Sequence, residues 1–130
     1  MEITAETVRT KFERALAGDM DALEELIHED FVQDWPQSGE RVRSKAACLA
    51  IYRNYPGGSP TLSVRRVTGS GDVWVAEADM MYGDKHVLGV SILEFRDGKL
   101  LRQTDYFGDP FPAPAWRSQW VEIVGEPVTA

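Results

Sequence analysis

The sequence predicts an α+β domain, with three N-terminal helices packed against one face of a meander of long antiparallel strands. Three observations predict it. Apolar residues recur at helical spacing up to about Tyr55, β-branched and aromatic residues dominate from Thr61 onward, and turn dipeptides divide that second half at hairpin spacing. A chain of 130 residues with 43% apolar content is expected to form one domain, 1–130, burying roughly two-thirds of its unfolded surface. The core is expected over about residues 5–120, with a tail over 121–130.

The first helix carries Val8, Phe12, Ala15 and Leu16 on one side, and Thr4 is its expected N-cap. Gly18 stops it. Asp19 then caps a short second helix whose apolar side is Met20, Leu23, Leu26 and Ile27. Phe31–Trp35 reads as a short strand ended by Pro36. A third helix starts at about Ser44, buries Ala47, Cys48, Ile51 and Tyr55, and is terminated by Pro56-Gly-Gly-Ser-Pro60. Four strands follow, over Thr61–Thr68, Asp72–Tyr82, Lys85–Phe95 and Leu100–Phe107, separated by Gly69-Ser-Gly71, Gly83-Asp84 and Asp97-Gly98. Pro110-Phe-Pro-Ala-Pro114 leads to a last helical turn bearing Trp116 and Trp120, and Thr129 and its neighbours are expected to fray.

The last strand holds the first functional suspect. Residues two apart in a strand share a face, so Leu101, Gln103, Asp105 and Phe107 point one way. A carboxylate among such neighbours is costly to bury without a purpose or a partner. Following parity back through the hairpins groups Val75, Glu77, Asp79 and Met81 with Gly89, Ser91, Leu93 and Phe95 on the Asp105 face. The opposite face then carries Trp74, Ala76, Ala78, Met80, Leu88, Val90, Ile92, Thr104 and Tyr106. A one-residue slip at any turn exchanges the sets. The second face is apolar enough to need cover, which predicts a homodimer packed sheet on sheet through Trp74, Ala76, Ala78, Met80, Val90, Ile92 and Tyr106.

Composition narrows the partners. A formal charge of −7 argues against nucleic acid, which needs a basic face. No run of about 18 apolar residues exists to cross a membrane. The opening Met1-Glu-Ile-Thr-Ala-Glu lacks a basic region followed by an apolar run, so no secretory signal is expected, and the single Cys48 fits a cytoplasmic location. His28 and His86 have no ligand spacing to other His or Cys, so no metal and no cofactor are expected.

The order of elements, with Ala17-Gly-Asp-Met-Asp-Ala-Leu, Glu29-Asp-Phe-Val-Gln-Asp and Thr104-Asp-Tyr-Phe, resembles the nuclear transport factor 2-like superfamily and within it the SnoaL-like group. The resemblance spans about residues 5 to 120 and implies a cone-shaped, cystatin-like fold, a curved sheet wrapped around a pocket closed by the helices. Many members are dimers. Limonene epoxide hydrolase uses an Asp–Arg–Asp triad whose acids match Asp105 and Asp79, while its Arg falls at Glu77, its Tyr at Val32 and its Asn at Asp34. Without that Arg, hydrolysis by that mechanism loses the cation that separates the two carboxylates. Ketosteroid isomerase places its base in a context that resembles Val32-Gln-Asp34-Trp-Pro, but its oxyanion pair falls near Lys11 and at Ser91. The SnoaL polyketide cyclases use an Asp acid/base in the last-strand region, for which Asp105 is the counterpart.

Asp34, Glu77, Asp79 and Asp105 are therefore expected to converge on one pocket, with Asp105, Asp79 and Asp34 as catalytic candidates. At about 5 Å and an effective dielectric near 20, two ionised carboxylates repel by roughly 3 kcal/mol, enough to keep one protonated as a general acid. The competing reading has Arg65 or Arg66 neutralising Glu77. Trp35, Tyr52, Glu77, Ser91, Gln103, Phe107 and Trp116 are the expected ligand contacts, suited to a small hydrophobic molecule. Three functions fit: a cofactor-free cyclase, isomerase or hydrolase using carboxylate acid/base chemistry, a non-catalytic ligand-binding module, or a structural dimer.

Overall fold

The structure is a computed structural model that describes residues 2–125. Helix α1, Ala5–Leu16, starts at Thr4, whose hydroxyl accepts from the Thr7 amide at 3.2 Å, and buries Val8, Phe12 and Ala15. Gly18 adopts φ +103°, a backbone that side chains strain to reach, and breaks the helix. Asp19 then caps α2, Met20–Leu26, by accepting from the Ala22 amide at 3.0 Å. Ile27, which helical spacing places in α2, instead turns extended and opens strand β1, Ile27–Trp35. There it is fully buried, so its apolar side chain serves the sheet rather than the helix. Ser44 caps α3, Lys45–Arg53, with Cys48 and Leu49 buried.

The sheet has six strands: β1, then β2 at Glu40–Val42, β3 at Thr61–Ser70, β4 at Val73–Tyr82, β5 at Lys85–Arg96 and β6 at Lys99–Gly108. Their order is β2-β1-β6-β5-β4-β3 in a curved, unclosed sheet. All neighbours are antiparallel except β1 and β6, which run parallel. The short β2 and this parallel pair are additions to the expected meander. The helices cover the concave face, α1 over β3 and α3 over β1, and the core lies between.

Strand β4 faces opposite to the sequence expectation. The two-residue turn Gly83-Asp84 pairs Tyr82 with Lys85, so even-numbered residues of β4 oppose odd-numbered residues of β5. Trp74, Ala76, Ala78 and Met80 are therefore buried against the helices, not outward, and Val75, Glu77, Asp79 and Met81 take the convex face. The turn Asp97-Gly98 imposes the same offset on β5 and β6, but a bulge at Leu101 removes it. Beyond the bulge Ser91 opposes Asp105, and the expected inward set of Ser91, Leu93, Gln103 and Asp105 is observed. Within the bulge it is Leu100, not Leu101, that is fully buried.

The final helical turn is a 3-10 helix, Ala115–Trp120, with Trp116 and Trp120 about three-quarters exposed. Among the described residues no helix is long and apolar enough to cross a membrane. Thr129 and the tail from 126 lie outside the described residues.

Candidate functional site

Cross-strand geometry gathers four donors around one acid. Ser91 stands opposite Asp105 across β5–β6, and Gln103 lies two residues earlier on the same face of β6. Gln33 stands opposite Gln103 across the parallel β1–β6 pair, with Trp35 two residues further along β1. Asp105 Oδ1 accepts from Ser91 Oγ at 2.6 Å and Gln103 Nε2 at 2.8 Å. Its Oδ2 accepts from Gln33 Nε2 at 2.6 Å and Trp35 Nε1 at 2.9 Å. Asp105, Gln33 and Gln103 are all less than 5% exposed.

Two donors on each oxygen match the acceptor capacity of an ionised carboxylate. Among the described residues no Lys, Arg or His lies within 4.0 Å of Asp105. Hydrogen bonds to a charged group contribute about 1.5–3 kcal/mol each, and four of them offset a desolvation penalty of several kcal/mol. Neutral donors therefore hold this acid in place without a counter-ion.

The acid forms the polar end of an otherwise apolar cavity. Its volume is about 40 Å3, and its wall includes Phe12 from α1, Tyr52 from α3, Ala78 and Met80 from β4, Gly89 from β5 and Phe107 from β6. Small residues at the sheet centre make this space: a Cβ on Gly89 would sit 3.2 Å from Met80 Cε and 3.7 Å from Phe107 Cδ1. Trp35, Tyr55, Tyr82 and Phe107 also line a larger outer hollow with Gln37, Ser38 and Glu40, which serves as the mouth. Tyr55 and Tyr82 touch through their hydroxyls at 3.2 Å.

Burial tunes the neighbouring acids. Burial, and then the charge of Asp105, push the Tyr52 hydroxyl well above its ordinary value, and the same two causes push the Cys48 thiol up to about 12. Both stay protonated, Cys48 pointing its Sγ at Gln33 Oε1 at 3.9 Å.

The other expected acids stand on the convex face. Asp34 accepts from Arg41 at 2.6 Å and Arg102 at 2.9 Å, and these pairings hold its carboxyl below the usual range against the opposing effect of burial. Asp79 accepts from Arg65 at 2.6 and 2.9 Å and lies 2.7 Å from His86 Nε2. Its carboxyl is lowered, first by Arg65. A bulge at Arg65 turns both arginines outward, so Arg66 reaches Glu77 at 2.5 Å. Asp34, Glu77, Asp79 and Trp116 do not line the Asp105 cavity, whereas Trp35, Tyr52, Ser91, Gln103 and Phe107 do. Sequence reasoning placed Gly89 on the Asp105 face and missed Gln33, Tyr82 and the inward Ala78 and Met80. The two-residue turn Gly83-Asp84 was the available signal for the last two.

The SnoaL-like domain model matches residues 8–103. The chain belongs to the SnoaL-like family. No curated protein matches it. Among solved structures, this SnoaL-like domain is similar to an NTF-2 like protein of unknown function from Burkholderia xenovorans LB400, with 40% identity, 92% of this chain and 94% of that one covered, and a TM-score of 0.83. A Kribbella flavida DSM 17836 protein, provisionally named a ketosteroid isomerase, shares 29% identity over 94% of this chain and 93% of that one, with a TM-score of 0.81. An LEH-like epoxide hydrolase from M. tuberculosis shares the fold at 20% identity, covering 80% of this chain and 84% of that one, with a TM-score of 0.65.

The donor set makes a sharp prediction for Asp105. In Asp105→Ala four buried donors lose their acceptor, at about 1–3 kcal/mol for each that finds no water, so urea unfolding should show a loss of at least about 3 kcal/mol. Asp105→Asn keeps one acceptor oxygen for Trp35 and Gln33, while Ser91 and Gln103 can reorient toward the amide. It should lose less than half as much. Equal losses would mean that the four hydrogen bonds do not hold the site together.

Proposed function

We propose that this SnoaL-like domain binds a small, largely apolar molecule in the Asp105 cavity, with Asp105 fixing the polar end of the site. The observation that carries the reading is one buried carboxylate, fully supplied with donors, at the end of an aromatic-walled cavity with an open mouth. Paired-carboxylate acid/base catalysis draws no support from this geometry, because Asp34 and Asp79 are tied to arginines on the other face. Acid/base work by Asp105 alone requires one of its four donors to give way to substrate. The family likeness to isomerases, hydrolases and cyclases supports a ligand pocket without choosing a reaction. Gly89→Leu is the direct test. Gly89 lines the cavity, so the larger side chain takes up its space, and the Cβ itself meets only the flexible end of Met80 closer than 3.4 Å. Screening small cyclic and branched compounds by NMR shift changes should find binders of the wild type that this folded variant has lost. Binders retained by Gly89→Leu would place the ligand elsewhere.

We also propose that a second copy of the chain covers the convex face. Leu88, Val90 and Tyr106 are more than one-third exposed there, framed by the Asp34, Asp79 and Glu77 ion pairs. Val90→Arg should give a folded monomer by light scattering where the wild type gives a dimer. Ala78→Arg, which points into the cavity, should instead destabilise the fold by about 1–3 kcal/mol through overpacking. A monomeric wild type overturns the interface.

A further inference from the structure

We infer that the ligand of the Asp105 cavity is a compact organic cation with a quaternary nitrogen that carries three methyl groups, as in choline. The inference rests on the small-molecule reading above and adds the charge and chemistry of the ligand. Three observations support it together.

The first is charge. Asp105 is 3% exposed, ends the cavity, and is neutralised by no cation among the described residues. Its four donors are neutral groups that stabilise the anion without cancelling its charge. The cavity therefore favours positive charge, and carboxylate or phosphate ligands are repelled. Glu40 adds a second acid at the mouth.

The second is acceptor capacity. Both oxygens of Asp105 already take two donors, so a primary ammonium or a guanidinium would find no free lone pair for its N–H groups. A bound N–H without an acceptor is left unpaired, at a cost. A quaternary nitrogen, which has no N–H, avoids that cost. It carries its positive charge on methyl groups and needs proximity rather than a hydrogen bond.

The third is the wall. Trp35, Tyr52, Tyr55, Tyr82 and Phe107 all border the cavity. Tyr55 lies with its ring centroid 6.0 Å from those of both Tyr52 and Tyr82. Aromatic faces attract an alkylammonium through their quadrupole while its methyl groups bury apolar area. A neutral hydrocarbon of the same shape gains only the second of these.

Choline and 3,3-dimethylbutan-1-ol, which has carbon in place of the charged nitrogen, separate these contributions. The probes are titrated into the full chain while the Trp35 indole N–H and backbone amides are followed by NMR. Choline should bind at least tenfold more tightly than the alcohol, and more tightly than ethanolamine, whose ammonium retains its N–H groups. Gly89→Leu should abolish the shifts. Tyr55→Leu, which keeps an apolar wall but removes a ring, should weaken choline more than the alcohol. If the alcohol binds as well as choline, the cation inference falls and the small-molecule reading stands. Ethanolamine binding as tightly as choline would overturn the requirement for a quaternary nitrogen. If none of the three binds in the millimolar range, the cation inference falls, while the small-molecule reading stands or falls with the compound screen against Gly89→Leu.

Discussion

A carboxylate enclosed in a protein must be given hydrogen-bond donors by its surroundings, and here strand register supplies them. Ser91 reaches Asp105 because β5 and β6 are in phase beyond the Leu101 bulge. Gln33 and Trp35 reach it because β1 lies parallel to β6 with Gln33 beside Gln103. Shifting β1 by one residue would replace them with Val32 and Asp34, exchanging two donors for an apolar group and a second acid. The site and the central strand pairings are thus one constraint. Neither can change without the other.

That constraint also sorts the charges. On the convex face the strand acids pair with arginines: Asp34 with Arg41 and Arg102, Asp79 with Arg65, and Glu77 with Arg66. Such exposed pairs contribute little individually but keep that face hydrated at its edges. On the concave face Asp105 relies on neutral groups alone. The result is a cavity with an uncancelled charge at one end and aromatic side chains around it, in a setting of low dielectric where that charge is felt strongly.

Much of this was legible in the residues. Thr4, Asp19 and Ser44 each cap the helix that follows, as their side-chain chemistry implies. Asp97-Gly98 and Gly83-Asp84 each close a two-residue hairpin. Asp105 stood out as an acid among apolar neighbours, and Ser91, Gln103, Trp35 and Phe107 followed it into the cavity. Face parity was harder. Two similar turns have opposite consequences, because a bulge compensates one and not the other, and no local pattern around Leu101 marks the difference. That is why Asp79 and Glu77 stand outside while Ala78 and Met80 stand inside. Gln33 escaped notice for another reason. It is an ordinary polar residue in its own strand and gains its role only through a parallel pairing with a strand some seventy residues away, which no turn announces.

The central claim is that Asp105 holds the indole of Trp35 as one of its four donors. Hydrogen exchange of the tryptophan indole N–H groups by NMR tests it directly, since Trp116 and Trp120 serve as exposed references in the same molecule. The account predicts that the Trp35 indole proton exchanges far more slowly than those two, and loses most of its protection in Asp105→Ala. Exchange of Trp35 as fast as Trp116 and Trp120 in the wild type would contradict it.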